Sequence, residues 1–321
     1  MTGLLLPFGV AVLLAASALA GPAVLRRAAP ALSKHPRFAL ILLPAVAALW
    51  VLTLLALGPM LAWAMSGPAL LSGVAGDVCQ RCIDAASPFA GQVSSAVPSL
   101  ILIAPAVALA LTAALIAVLH VLRRTRGSRQ VLHQIRRCSD RIRIDGVPIL
   151  VTDSPMPVAM SLPGRAGGVV LSTATLQLLE ADELAAVLAH EQAHLRQRHH
   201  TIAVITSGLA RSLRWVPLVR EIDAVLPHYL EIAADEAAVR QTGVPAMASA
   251  LLKLGTRPHA APDSAALHAA GPERIGQLVA PLPPRLGFGA ALTLLSTLAI
   301  LAVTSTVVHT LYLAALATGC L

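Results

Sequence analysis

The chain has 321 residues, of which 56% are hydrophobic and only 12% are charged. Soluble proteins carry about 25% charged residues, so this composition argues against an ordinary soluble protein and favours a membrane protein. The net charge of +8 does not by itself indicate nucleic-acid binding. The basic residues concentrate beside apolar segments, at 26–37 and 123–143, as juxtamembrane residues do. We therefore expect contact with the lipid bilayer and no direct nucleic-acid binding.

Four apolar segments are long enough to cross a bilayer, which needs about 20 residues. They are residues 4–25, 38–58, 99–122 and 287–313. Residues 59–76 are also uncharged, but Gly and Pro interrupt them, so they form either a fifth span or an interfacial segment. The two basic loops favour the cytoplasm, which requires an even number of crossings between them. We therefore predict that residues 59–98 form a mostly extracytoplasmic loop.

Charge divides the chain into membrane and polar parts. Residues 123–285 hold 19 of the 24 Lys and Arg residues and 14 of the 16 Asp and Glu residues. We predict three spans within 1–122, a cytoplasmic domain at 123–286 with a core of its own, and a fourth span with a short tail at 287–321. Both termini then lie outside.

The first apolar segment has an alternative interpretation. The sequence SALAG at 17–21 ends in small residues, as a signal-peptide cleavage site does. However, residues 1–10 contain no Lys or Arg, and the positive charges follow the apolar run. This order favours an uncleaved anchor with its N-terminus outside.

The four cysteines indicate little about function. Cys79 and Cys82 form a C-x-x-C pair in the predicted outer loop, where a disulfide, a redox motif or half of a metal site are all open. With no second pair nearby, a structural disulfide or two free thiols is the better prediction.

The most informative stretch is HEQAH at 190–194. Apolar periodicity predicts a helix over about 181–198, with Asp182 and Glu183 in the first turn, where they complement the helix dipole. His190 and His194 then lie one turn apart on the same face and can bind one Zn²⁺ ion. Glu191 is offset by one position and would act as general base rather than as a ligand.

A second stretch, EIAADEAAVR at 231–240, supplies the context that this short motif requires. Glu231 and Asp235 are again one turn apart on a predicted helix. Glu231 can complete a His, His, Glu ligand set and leave a fourth position open. Asp235 can accept a hydrogen bond from the far ring nitrogen of a ligand histidine and so fix its tautomer.

Three other histidines are alternative ligands. His199, His200 and His228 lie at predicted helix ends near arginine-rich turns. We expect each of them to be exposed rather than bound to metal.

HEQAH followed by EIAAD resembles the membrane metallopeptidases of the gluzincin type, in particular the BlaR/MecR-type and HtpX/Ste24-type families. The resemblance extends over about 147–278 and includes VPILVTDSPMPVAMSL, GGVVLSTATLQLLEADELAAVLAHEQAH and PERIGQL. It implies a multi-span α-helical membrane protein with an inserted, mostly α-helical (α+β) zincin-type metallopeptidase domain. One Zn²⁺ per chain and a bacterial-type plasma membrane are also implied.

The arrangement of spans favours the BlaR/MecR type, in which three spans precede the zinc domain and one follows. No S-x-x-K motif of a penicillin-binding sensor domain follows residue 287, so a direct β-lactam receptor is not expected. The resemblance implies cleavage of a cytoplasmic protein, such as a BlaI-like transcriptional repressor. HtpX-like quality control of membrane proteins is the alternative enzyme function. A non-catalytic zinc-containing membrane adaptor is a third possibility, against which the intact Glu191 argues.

The segments before HEQAH suggest how a substrate is held. Residues 158–162 or 167–172 could form an edge strand, to which an extended peptide adds through backbone hydrogen bonds. An ordinary core hairpin is the alternative. The oligomeric state is left open.

Overall fold

The computed structural model describes residues 5–66, 99–144, 146–164, 167–255, 271–280 and 283–317. The helices are α1 (Leu5–Lys34), α2 (Pro36–Ser66), α3 (Ser99–Arg137), α4 (Thr173–Leu178), α5 (Ala181–Arg196), α6 (His199–Ser212), α7 (Pro217–Thr242), α8 (Val244–Gly255), α9 (Gly271–Val279) and α10 (Phe288–Ala317). The strands are β1 (Ser139–Ile144), β2 (Val147–Thr152), β3 (Ala159–Leu162) and β4 (Gly168–Ser172). The Cys79–Cys82 pair and most of the predicted outer loop lie outside the described residues.

Four helices in the described part of the chain are long and apolar enough to cross a membrane. They contain the stretches Leu5–Lys34, Pro36–Ala62, Ile103–Arg137 and Phe288–Thr310. Between the third and the fourth lies a mixed domain with four strands and mainly helical structure. The predicted architecture, several long apolar helices with a mixed, mainly helical domain inserted between them, is confirmed.

The spanning helices continue past the ends of the predicted spans. Helix α2 continues through Pro59 to Ser66, although Gly and Pro led us to end the span at residue 58. Met60 and Ala62 are buried against neighbouring helices, and such packing compensates for the backbone bond that proline removes. Helix α3 continues to Arg137, so the predicted domain boundary at residue 123 falls inside an uninterrupted helix.

The sheet has the strand order β1-β2-β4-β3. Strand β2 pairs in parallel with β4, and the two outer pairs are antiparallel. Of the two predicted edge candidates, residues 158–162 correspond to β3, which lies at an edge. Residues 167–172 correspond to β4, which is covered on both sides.

The domain core lies between the sheet and helices α5 and α8. Ile149 and Leu171 from the sheet pack there with Val187 of α5 and Met247 of α8. Helix α7 joins this domain to the spans, because it packs against α5 on one side and against α1 and α2 on the other. At the contact with α1, a Cβ on Gly21 would lie 2.6 Å from Leu218 Cδ1, so the glycine permits the close approach.

Candidate metal centre

The helix that carries HEQAH is fixed at its N-terminus. The backbone N–H of Glu180 donates to Glu183 Oε2 at 2.8 Å, which satisfies one of the free donors of the first turn. Glu183 is buried and also accepts hydrogen bonds from Ser249 Oγ at 2.5 Å and Lys253 Nζ at 2.7 Å, both on α8. These contacts hold α5 at a fixed position against α8 and thereby position the histidines further along.

The structure brings together the three residues predicted to bind metal. His190 Nε2 lies 3.0 Å from His194 Nε2 and 3.5 Å from Glu231 Oε2. His194 Nε2 lies 3.4 Å from Glu231 Oε1. Within the described residues, these three side chains form a group that could hold a metal ion.

The distances between the ligand atoms fit zinc. For metal–ligand distances of about 2.0–2.2 Å, ligands at the corners of a tetrahedron lie about 3.3–3.6 Å apart. The three separations above, 3.0, 3.5 and 3.4 Å, are close to this range. Two imidazoles and one carboxylate are also a donor set that zinc accepts. This spacing is compatible with three corners of a tetrahedral zinc site whose fourth corner would be open to water or substrate.

Behind the ligands lies a second charged layer. Asp235 Oδ1 is 2.9 Å from His190 Nδ1. Arg274 of α9 is fully buried, donates from Nε to Asp235 Oδ2 at 2.9 Å, and places Nη1 2.9 Å from Glu231 Oε2. Neither the His190–Asp235 pair nor the Arg274–Glu231 pair has the alignment of a good hydrogen bond, so these two contacts act mainly through charge.

These neighbours set the charge on the cluster. Burial alone would lower the pKa of His190, but Asp235 and Glu231 outweigh it and raise that pKa to about 9. Burial would raise the pKa of Asp235, but His190 and Arg274 bring it to about 2. Since a metal ion binds the neutral imidazole, metal binding at this site would displace a proton from His190.

Glu191 lies beside the ligands but is not one of them. Its side chain is buried, and burial raises the pKa of its carboxyl to about 7. The charge of the neighbouring His190 and, less strongly, the Ser161 side chain of β3 lower this pKa. This environment suits a group that takes up and releases a proton near neutral pH.

His199 is buried, not exposed as we expected from its place at a helix end. Its Nδ1 lies 2.9 Å from Nδ1 of His194, and its Nε2 lies 3.2 Å from Gln197 Oε1. Because the amide oxygen of Gln197 can only accept, Nε2 of His199 carries a proton and Nδ1 is left to accept one from His194. That arrangement leaves Nε2 of His194 free to face the metal position.

Burial also keeps these two rings neutral. It lowers the pKa of His194 to about 3 and that of His199 to about 4. The nearby charge of Arg37 contributes to the lowered pKa of His199. Neutral rings are the form in which a histidine relay can point a lone pair at a metal.

The other two candidate histidines lie apart from the ligand group. His200 is half-buried, and burial lowers its pKa. His228 is half-buried with its ring against Tyr229, at a centroid distance of 5.7 Å. Neither joins the group formed by His190, His194 and Glu231.

Arg274 was missed by the sequence analysis, although PERIGQL at 272–278 was among the stretches that carried the resemblance. The sequence signal that could have identified it is one basic residue in a short amphipathic helix downstream of two carboxylates. Its role depends on a contact with Asp235, 39 residues away in the chain, which local patterns do not specify.

Fold and site together define a membrane protein with a buried His, His, Glu cluster of the kind that zinc peptidases use. Comparison with known proteins gives the same class. Residues 125–250, well under half of the chain, match the sequence profile of peptidase family M48. A 77-residue stretch is 36% identical to "Protease HtpX homolog 1" of Saccharolobus solfataricus and covers 23% of this chain and 24% of that protein. No solved structure matches the chain.

These findings support a membrane-anchored metallopeptidase with an M48-type domain. Of the two families that the sequence resembles, the HtpX/Ste24 type is supported by the relative from Saccharolobus solfataricus. The BlaR/MecR-type assignment stays a prediction, as do the cytoplasmic location of the domain and the positions of the termini.

Proposed function

We propose that the protein is a membrane-anchored, zinc-dependent endopeptidase. The observation that carries the proposal is the cluster of His190, His194 and Glu231 at near-tetrahedral spacing, with Glu191 buried beside it. A structural zinc site is normally closed by four protein ligands and needs no neighbouring base. Three ligands and an adjacent carboxyl therefore favour catalysis over the adaptor function.

The residues have distinct roles in this proposal. Zn²⁺ held by His190, His194 and Glu231 would supply the Lewis acidity that activates water and polarises a peptide carbonyl. Glu191 accepts the proton of the attacking water and delivers it to the leaving amine. Asp235 stabilises the His190 imidazole through its charge, His199 orients the His194 imidazole from behind, and Arg274 offsets the charge of the two buried carboxylates.

Strand β3 offers a place for the substrate backbone. It lies at the edge of the sheet with one side unpaired in the described structure, and it packs against α5. Ser161 of this strand is close enough to Glu191 to lower the pKa of its carboxyl, which puts the edge next to the proposed base. An extended peptide added to β3 would therefore pass the metal position, which favours unfolded or loop segments as substrates.

Two biological roles remain, each favoured by a different observation. The M48 match and the HtpX-named relative are compatible with HtpX-like quality control of membrane proteins, a general form of proteolysis. Three candidate spans before the domain and one after it favour regulated cleavage of a single cytoplasmic protein such as a transcriptional repressor. We place general proteolysis first, because the comparisons concern the catalytic domain itself.

A comparison of protein N-termini tests the proposal. It is made between cells that produce the wild-type chain and cells that produce the Glu191→Gln variant. The substitution keeps the side-chain size, so the metal cluster is expected to stay intact while cleavage stops. Asp140→Asn, at an exposed position on β1, is the matched control and should behave as wild type. Many wild-type-specific termini in membrane proteins would indicate general proteolysis, whereas one or two in a DNA-binding protein would indicate signalling. Identical termini in all three strains, with and without envelope stress, would contradict the proposed activity.

A further inference from the structure

Beside the metal centre lies a cleft lined by three arginines from three different helices. Arg37 begins the span of α2, Arg196 ends α5, and Arg240 lies near the end of α7. Together with Gln197, Gln241 and small alanine side chains they enclose about 190 Å³. This volume has room for a phosphate group and several water molecules. We call this feature the arginine cleft.

The arginines of the cleft are only partly neutralised. Arg240 pairs with Glu236, and Arg196 donates to the neutral Gln192 Oε1 at 2.7 Å. In the described part of the chain, no carboxylate lies within ion-pair distance of Arg37 or Arg196. Three guanidinium groups with a single carboxylate partner leave a net positive site, and guanidinium binds phosphate through paired hydrogen bonds.

The position of the cleft indicates which kind of ligand it could bind. Arg37 is the second residue of α2, and the apolar stretch that could cross a membrane begins at Pro36. The cleft therefore opens at the level where a span leaves the hydrocarbon region, which is where lipid headgroups lie. Its walls carry guanidinium and amide groups and no large apolar side chain, which suits a polar headgroup better than an acyl chain.

We propose that the arginine cleft binds a phosphate group, of the kind carried by an anionic phospholipid headgroup or by free inorganic phosphate. Occupation of the cleft would tie the ends of α2, α5 and α7 together through one anion. Gln197, which lines the cleft, is also the residue that orients His199 behind His194. The cleft thus adjoins the metal centre but is a separate site, suited to an ion of the opposite charge.

Lipid retention by the full-length chain tests this proposal. The protein is placed in nanodiscs of phosphatidylcholine with a minor fraction of phosphatidylglycerol, and the bound lipids are counted by native mass spectrometry. The combined variant Arg37→Gln, Arg196→Gln and Arg240→Gln should retain at least about fivefold less phosphatidylglycerol, since each removes one basic contact. All three side chains are exposed, so the variant is expected to fold.

A control variant that loses the same number of charges elsewhere distinguishes binding in the cleft from general attraction of anionic lipid to a basic surface. Arg27→Gln, Arg141→Gln and Arg220→Gln remove three exposed arginines that lie outside the cleft. This variant should retain phosphatidylglycerol within about twofold of wild type, because screened surface charges contribute little. An equal loss in both variants, or no loss in the first, would overturn the proposal.

Two further experiments identify the ligand and test whether the arginine variant loses lipid only because it misfolds. Gln241→Trp fills the cleft without changing charge and should reduce retention as the arginine variant does; full retention would overturn the proposal. Inorganic phosphate is titrated into detergent-solubilised protein that holds dioctanoyl-phosphatidylglycerol. Displacement of the lipid would identify free phosphate as a ligand, and its absence would identify the lipid headgroup.

Discussion

Helix α5 presents two faces of opposite electrostatic character. On one face His190 and His194 meet Glu231 in a buried cluster whose charges are balanced by Asp235 and Arg274. On the other face Ala189, Ala193 and Gln197 line a cleft in which exposed arginines converge. We propose a cation site on the first face and an anion site on the second.

The two faces differ in how their charges are stabilised. Buried charges are stable only when they are paired and hydrogen-bonded, so the metal face is rigid and sensitive to any single deletion. Exposed arginines keep their hydration and need no fixed partner. Substitutions should therefore have large effects on the metal face and small effects elsewhere.

The largest effect is expected from removing a ligand. His194→Ala should reduce peptide cleavage by more than about 100-fold, because even the partners of metal ligands contribute about 10–100-fold. His194 is partly exposed, so the fold should survive. Metal content and cleavage are measured on the same sample, with His200→Ala as the control on the next helix. A chelator should abolish wild-type activity, and added Zn²⁺ should restore it.

Full zinc occupancy in His194→Ala would contradict the ligand assignment. Chelator-resistant cleavage by the wild type would contradict the metal mechanism itself.

The next largest effect concerns Arg274. Its removal leaves Asp235 and Glu231 buried without their shared cation, which should cost about 3–5 kcal/mol in the free energy of unfolding. Thermal unfolding of Arg274→Ala and Arg274→Lys in detergent measures this loss of stability. The lysine variant should recover part of the stability, because it keeps the charge but loses the paired geometry. If the alanine variant unfolds like wild type, the buried charge balance described above is wrong.

The fold of the metal face could be predicted from the sequence where it depends on local periodicity. One-turn spacing placed His190 with His194 and Glu231 with Asp235, since helix geometry fixes which residues share a face. Arg274 and His199 could not be placed in this way, because their contacts arise where separate elements pack together. The arginine cleft is the extreme case: Arg37 comes from a span more than a hundred residues before α5.

A smaller effect is expected from His199, which contacts the metal face through His194. His199→Ala should weaken zinc binding by roughly tenfold, because the imidazole of His194 loses the group that fixes its tautomer. Zinc affinity of the metal-free protein is measured by competition with a coloured chelator, which does not depend on activity. His199→Asn, which can still accept a hydrogen bond, should recover part of the affinity. Equal affinity in wild type and His199→Ala would show that packing alone orients His194.

The smallest effect is expected away from both faces of α5, at the ion pair between Arg26 of α1 and Glu221 of α7. Arg26 Nη1 lies 2.9 Å from Glu221 Oε1, but 62% of the arginine side chain is exposed. Exposed pairs contribute little because water and salt screen them, so Arg26→Gln should change the free energy of unfolding by less than about 1 kcal/mol. Zinc affinity and phosphatidylglycerol retention should both stay at wild-type levels. A larger loss of stability, measured by unfolding in detergent at low and high salt, would mean that the contact between α1 and α7 depends on charge. In that case the packing of Leu218 against Gly21 would not be what joins the domain to its spans.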